Sequence, residues 1–476
     1  MDYDVVIGLE VHIQLLTDTK IFCGCSTRFG DTPNTNVCPV CLGMPGVLPV
    51  LNEKVVDFGI KLGLATNSTI SEKNIFARKN YFYPDLPKGY QITQYDYPLC
   101  QKGFLDIDVD GRTKRIGITR IHMEEDAGKL IHDERQDLSY VDFNRSGVPL
   151  LEIVSEPDMS STSEAVAYLK ELRQLVMYLG ICDGNMEQGS FRCDANISVK
   201  PKGALDYGIR TELKNMNSFR NVQNALEYEI SRHVNLLEEG KQVEQETRLW
   251  DANAGLTRTM RTKEESHDYR YFPEPDLIPL VVDVAWVERI RKTLPELPRD
   301  KRYRFVKDYG IPMYDAEVLT QQSDIADYFE ACLKFIDTPK DVSNWIMTEV
   351  LRVLKEESID IAEFNITPKM LSDMITLIKK GVISGKIAKG VFEDMHRTGK
   401  DPSLIVDEKG LLQIMDEGVL KDKAKAILNA HPKEVKSYKD GKKQLLGFFV
   451  GQLMKETRGR ANPKLANKVI KGLLEG

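Results

Sequence analysis

The chain has 476 residues, too many for one hydrophobic core and enough for roughly two to four domains of ordinary size. With 42% hydrophobic and 29% charged residues, its composition excludes the disordered, collagen-like and disulfide-scaffold classes. The net charge of -7 hides an asymmetry: Lys421 to Gly476 carries 14 Lys and Arg against 5 Asp and Glu, a local +9, which leaves -16 on residues 1–420 and suggests a polyanion held by the tail.

Asp4 falls inside the first apolar alternation and no basic n-region precedes it, so a cytoplasmic chain without membrane association is expected. Val5, Ile7, Leu9, Val11, Ile13 and Leu15 alternate without a break, which reads as a half-buried strand. Its other face carries Gly8, Glu10, His12 and Gln14, so a carboxylate and an imidazole point the same way off a rigid support. That pair suits a divalent metal, and it equally suits the wet face of an edge strand. Cys23-x-Cys25 and Cys38-x-x-Cys41, with twelve residues between the pairs, have the spacing of a four-thiolate zinc shell. Four sulfurs leave no open position, so such a zinc is structural. Cys100, Cys182, Cys193 and Cys332 are scattered and read as packing residues. The longest charge-free run, Thr32 to Asn52, holds Pro33, Pro39, Pro45 and Pro49 and would not span a bilayer.

Phe76 to Gln91 combines Arg78, Lys79 and Lys88 with Tyr81, Phe82 and Tyr83, a composition suited to stacking a base and neutralising phosphate, or to an aromatic-anchored loop. In Ile116 to Asp126 the apolar residues change face between Ile118 and Ile121, which predicts a bulge and leaves open whether Glu124 or Glu125 points inward. Phe191 to Ser198 places Arg192, Asp194, Asn196 and Ser198 on one face, and Arg210 to Asn215 does the same for Arg210, Glu212 and Lys214. Carboxylates for Mg2+ and cations for phosphate oxygens, spread over strands of one sheet, are what a metal-nucleotide site needs. Residues 266–276 repeat the mixed cationic and aromatic character.

Apart from 163–180 and 221–240, helical periods are sparse before Leu294-Pro295-Glu296-Leu297-Pro298; after it they dominate, as in Ala326, Phe329, Leu333 and Ile336. A softer change near Gly410 opens a final basic helical segment. The expected architecture is α+β, with a strand-rich domain over 1–292, an all-α helical domain over 293–409 and a basic helical tail over 410–476. The nearest approach to a phosphate loop, Gly381 to Ile387, is one residue short and lacks the Ser or Thr, and no nucleophile elbow is present. A nucleotide would therefore be bound by a sheet surface.

Val141-Asp142-Phe143-Asn144-Arg145-Ser146-Gly147-Val148-Pro149-Leu150-Leu151-Glu152-Ile153-Val154-Ser155-Glu156-Pro157 resembles the signature of the GatB family, the B subunits of the tRNA-dependent amidotransferases. The likeness extends to Ile7 to His12, Arg78 to Gln91, His122 to Lys129, Asp268 to Asp276, Gly451 to Met454 and Gly459 to Pro463. The four cysteines are similar to the zinc-bearing branch. This resemblance implies a glutamine-synthetase-like cradle that uses ATP and Mg2+ to phosphorylate the side-chain carboxylate of Glu-tRNA(Gln) or Asp-tRNA(Asn). Ammonia from the glutaminase partner of the same enzyme (GatA) then makes the amide, a small third component (GatC) ties the two together, and the helical and tail domains grip tRNA.

On this reading Glu10, His12 and Glu125 are the expected metal ligands, with Glu124, Asp194 and Glu212 as further candidates. Lys79, Arg192, Arg210 and Lys214 are the expected phosphate or acyl-phosphate contacts. Two rival classes are a zinc-containing tRNA-binding protein without catalysis and a metal-dependent hydrolase that needs neither ATP nor tRNA.

Overall fold

Strand β1, Tyr3–Gln14, lies in the middle of the sheet on which the rest of the N-terminal half is built. The alternation read from the sequence is the alternation observed: Ile7, Leu9, Val11 and Ile13 are almost wholly buried, whereas Glu10 and His12 lie on the other, partly open face. Each fully buried side chain of this kind contributes about 1.5–3 kcal/mol, enough to fix the register of the strand, since a one-residue slip would reverse both faces.

The computed structural model describes residues 2–133, 138–262, 269–414, 416–457 and 459–475, and the chain divides into two units, Met1–Leu297 and Pro298–Gly476. After β1 the strands of the first unit are β2 Thr69–Ile70, β3 Lys73–Asn74, β4 Phe76–Asn80, β5 Tyr90–Gln94, β6 Cys100–Val109, β7 Arg112–Glu125 and β8 Lys129–Asp133. They continue with β9 Leu138–Asp142, β10 Pro149–Ser155, β11 Phe191–Pro201, β12 Thr211–Lys214, β13 Glu246–Asp251, β14 Leu256–Thr262, β15 Arg270–Pro273 and β16 Leu280–Val281. Among the described residues, twelve strands form one sheet in the order β14-β13-β12-β11-β1-β10-β7-β5-β4-β15, with β6 pairing β7 and β2 pairing β6. Every contact of β1 is antiparallel: β10 lies on one side and β11 on the other.

The apolar face is covered by helices α1 Glu53–Ala65, α2 Thr162–Tyr178 and α3 Phe219–Glu238, each started by a side-chain cap from Asn52, Ser161 or Ser218. Helix α1 lies unusually close to its neighbours. A Cβ at Gly59 would come within 2.3 Å of Leu99, and one at Gly63 within 2.5 Å of the Cys100 sulfur. The bulge expected in Ile116 to Asp126 is present: Val154 of β10 faces Arg120 while Ser155 faces Ile118, so Thr119 is the extra residue on β7.

In the second unit every regular element of the described residues is a helix, in agreement with the expected strand-rich body followed by a helical region. Two separate apolar clusters hold it together. Phe305, Phe329, Leu371 and Phe392 centre the first, and Leu420, Phe449, Leu453 and Ile470 the second. Among the described residues no helix is long and apolar enough to cross a membrane.

Candidate functional site

The open face of the sheet is organised in rows that run across the strands. In the first row His122 of β7 faces Glu152 of β10, Glu152 faces His12 of β1, and His12 faces Arg192 of β11. In the next, Glu10 faces Asp194, and Lys214 of β12 reaches back to the Asp194 carboxylate. In the third, Gly8 faces Asn196, Asn196 faces Glu212, and Glu212 faces Thr247. Directly opposite residues of antiparallel strands hold their side chains about 4.5–5.5 Å apart, so register alone assembles the charged groups.

The first row is the tightest. Ligating atoms of His12, Glu124 and Glu152 all lie within 4.8 Å of one another. His12 Nε2 is 3.1 Å from Glu152 and 3.5 Å from Glu124; His122 Nε2 is 3.6 Å from Glu152 and 3.8 Å from Glu124. Burial opposes a charge on His12, but the hydrogen bond and negative charge of Glu152, joined by Glu124, outweigh it and raise the imidazole to about 9. Burial likewise opposes ionisation of Glu152, yet His122, His12 and Lys79 hold its carboxyl well below the usual range. One imidazole and two carboxylates converging from three strands are a donor set that a divalent cation fits, and Mg2+ would find oxygen ligands on two of the three.

The second and third rows form a separate acidic group. Glu10 accepts a hydrogen bond from Asn196 at 3.0 Å, and its carboxyl is raised by burial and by Glu152, Glu212 and Asp194, with Lys214 opposing. Lys214 bridges Asp194 and Glu212, the latter at 3.0 Å, and its ammonium is raised by those two acids despite burial. Lys79 of β4 approaches the first row from the far side. Its ammonium lies 4.7 Å above the Tyr269 ring, and Glu124 and Glu152 raise it against the effect of burial. Neither Lys79 nor Arg210 forms an ion pair with a described residue.

Two expected residues are placed differently. Glu125, expected as a metal ligand, turns away from His12: its carboxylate pairs with Lys88 and accepts a 2.8 Å hydrogen bond from the Ile92 amide. The bulge at Thr119 restores alternation beyond it, so Glu124 takes the open face and Glu125 the opposite one. Arg192, expected at phosphate, spends its fork on Asp126, with contacts of 2.9 and 3.1 Å, while Gln14 adds a 2.8 Å bond to the same carboxylate. Glu10, Asp194 and Glu212 lie on the predicted face but outside the three-ligand cluster. Residues 266–268 of the aromatic segment lie outside the described residues; Tyr269 and Tyr271 are near Lys79 and Tyr95, the latter stacking on Tyr271 at 4.1 Å.

Glu152 was within reach of sequence reasoning and received no role there. Its signal was a single acid between the buried Leu151 and Ile153, the pattern that had singled out Glu10 and His12.

The four cysteines of the first pairs come together, with all sulfurs within 4.8 Å and Cys38 and Cys41 3.9 Å apart. Sulfurs about 2.3 Å from a tetrahedral zinc are about 3.8 Å from each other, so the thiols fit that ion. Hydrogen bonding with Cys23 and the nearby Lys20 charge hold Cys41 down at about 5, while burial pushes Cys25 up to about 11. Lys20, Lys88 and Glu125 line a cavity shared with Cys23 and Cys41.

Comparison with known proteins matches residues 5–288 to the GatB/GatE catalytic domain family and residues 327–474 to the GatB domain family. Among curated proteins, the chain is 60% identical over 479 residues to the aspartyl/glutamyl-tRNA(Asn/Gln) amidotransferase B subunit of Geotalea uraniireducens, covering all of both chains. It is 58% identical over 475 residues to the protein of that name from Thermodesulfovibrio yellowstonii, again over all of both. With the Thermoanaerobacter sp. protein of that name it shares 56% over 471 residues, 99% of each chain.

Proposed function

The chain belongs to the GatB family of aspartyl/glutamyl-tRNA(Asn/Gln) amidotransferase B subunits, and we propose that its open sheet face phosphorylates and then amidates the side chain of Glu-tRNA(Gln) or Asp-tRNA(Asn). The observation that carries the reading is the convergence of His12, Glu124 and Glu152 beside Lys79, which no acid among the described residues pairs. A carboxylate is a poor acyl donor; transfer of the γ-phosphoryl group of ATP to its oxygen creates a leaving group. Ammonia then attacks the carbonyl carbon, and phosphate departs with the former carboxylate oxygen.

His12, Glu124 and Glu152 would hold Mg2+, with Glu10 beside them, and the bound ion supplies neutralisation of the phosphate oxygens during transfer. Lys79, from the aromatic side, and Arg210, from the opposite side, are the cations left to bind phosphate. Lys214 keeps Asp194 and Glu212 from repelling the anionic substrate, and Arg192 is held in place by Asp126. Glu124 and Glu152 are themselves largely shielded from water, which strengthens their attraction for a cation.

Ammonia comes from the glutaminase partner, GatA, with the small GatC component completing the complex. The four-cysteine group holds a structural Zn2+. Residues 1–292 act as the catalytic cradle, and the helical segments 293–409 and 410–476, the latter carrying +9 from Lys421 onward, contact tRNA in the cytoplasm. The test is conversion of labelled Glu-tRNA(Gln) to Gln-tRNA(Gln) by the assembled complex. Conversion is expected only with ATP and an amide donor, and conversion without ATP would overturn the phosphorylation step.

A further inference from the structure

Lys20 is wholly buried, and among the described residues no carboxylate pairs with it. Glu125 lines the same cavity, but its carboxylate is committed to Lys88. A lone ammonium is among the most costly groups a protein can bury, so the surroundings must supply negative charge in another form. The geometry at Nζ shows where. It donates to the Asn36 carbonyl at 2.7 Å, to the Phe143 carbonyl at 3.3 Å and to the Cys41 sulfur at 3.7 Å. Three acceptors use all three N–H bonds of an ammonium and leave no donor for the lone pair of a neutral amine.

Lys20 touches both cysteine pairs, for its main-chain amide also donates to the Cys25 carbonyl at 2.9 Å. The Cys41 sulfur accepts a second bond, from the Cys38 amide at 3.1 Å. A dication held by four thiolates is a dianion, whereas two thiolates with two imidazoles would be neutral and would need no cation beside them. The same lysine reaches the segment that feeds β10. Phe143 accepts from its ammonium, and the next amide along the chain, that of Ile21, donates to the Gly147 carbonyl at 2.9 Å. Gly147 donates to the Asp126 carbonyl at 2.9 Å, and the Asp126 amide donates to Val148 at 2.8 Å. Packing is close as well: a Cβ at Gly147 would lie 3.5 Å from both the Cys41 Cβ and the Lys20 Cδ. Asp126 is the residue that holds Arg192, and β10 carries Glu152.

We propose that Lys20 is the counter-ion and positioning residue of the four-cysteine centre, offsetting the excess charge of the metal-loaded thiolates and tying the loaded centre to residues 143–148. The inference rests on the reading of the cysteines as a zinc site. It adds to that reading a reason for a buried lysine that cysteine spacing does not require. It also gives a structural metal a route to the open face, through backbone hydrogen bonds that end at the first residues of β10 and the last of β7. The coupling is reciprocal: zinc steadies the ammonium, and the ammonium steadies the thiolates.

The test uses the assembled complex and two variants. Lys20→Met keeps the apolar stem and removes the ammonium, and Lys20→Gln keeps an uncharged donor for the carbonyls. In both, zinc affinity measured by chelator competition is expected to fall about tenfold or more, the usual loss on removing the outer partner of a metal ligand. With Co2+ in place of zinc, the thiolate-to-cobalt charge-transfer band should move to lower energy in both variants, a shift that a packing role would not produce. In wild type, stripping the zinc should remove hydrogen-exchange protection from residues 143–148; in the variants that protection should be missing whether or not zinc is bound. Wild-type zinc affinity and an unmoved cobalt band in both variants would overturn the counter-ion role. Exchange at 143–148 that is indifferent to zinc in wild type would overturn the coupling, and it needs no variant to assemble. A wild-type complex that takes up no zinc would instead overturn the underlying zinc reading.

Discussion

Glu124 and Glu125 are adjacent acids with opposite surroundings, and exchanging each for Gln separates chemistry from stability. The Glu125 carboxylate is buried and holds two partners, the ammonium of Lys88 and the amide of Ile92. In Glu125→Gln the amide oxygen can still accept from Ile92, but Lys88, whose side chain is only 6% exposed, keeps a charge without its counter-ion. Breaking one side of a buried pair costs about 3–5 kcal/mol. For a unit of nearly 300 residues each kcal/mol moves the melting temperature by roughly 2 °C, so a fall of about 6 °C or more is expected. In Glu124→Gln, by contrast, His12 keeps Glu152 at 3.1 Å and a crowded carboxylate is removed, so stability should change by less than about 1 kcal/mol. The rate of ATP-dependent phosphorylation should instead fall by about two orders of magnitude, the scale set by losing one preorganised electrostatic group. Differential scanning calorimetry and a single-turnover phosphoryl-transfer assay on the same two proteins make the comparison. The reverse pattern, with Glu125→Gln stable but inactive and Glu124→Gln active, would refute the assignment of the two faces.

Cys38→Ser is expected to lower bound zinc, measured by elemental analysis, together with the melting temperature; wild-type protein purified without chelators and lacking zinc would contradict a structural ion. The buried Glu229 offers a test of pH dependence away from the site. Burial opposes its charge, but hydrogen bonds from His233, Thr257 and Arg232 hold its carboxyl below the usual value. A depressed carboxyl contributes stability that is present above its unfolded pKa, about 4.3, and is lost as pH falls through the folded value. Glu229→Gln should therefore flatten the acid limb of a stability-against-pH curve below about pH 4.3 and lower the plateau above it. An acid limb unchanged by the substitution would show that Glu229 is not one of the groups that drive acid unfolding.

How much of this was legible in the sequence depended on whether the information ran along the chain or across it. Period-2 alternation identified β1 and its two faces, because burial of Ile7, Leu9, Val11 and Ile13 needs no partner strand to be named. The cysteine spacing was equally local. The fate of Glu125 was not, since the one-residue bulge at Thr119 is defined against β10 and only its presence, not its effect on two adjacent acids, shows in the apolar pattern. Arg192 carries the same lesson. A cation on the open face of a strand invites a phosphate, but Asp126 arrives from the end of β7, 66 residues away in sequence, and fills the guanidinium fork.

Register explains why such a site can do without a phosphate loop. A loop gathers its donors within a few residues, and its motif can be read as a string. Here His122, Glu152, His12 and Arg192 come from four strands, and each owes its place to a ladder whose buried face fixes it. Moving β10 by one residue would replace Glu152 with Leu151 or Ile153 beside His12 and expose the core side of the strand. The apolar residues of the four strands therefore set the geometry of the reacting groups as firmly as they set the fold. Substitutions that loosen the ladder, such as Ile153→Ala beneath Glu152, should disturb the alignment of the carboxylates before they unfold the sheet.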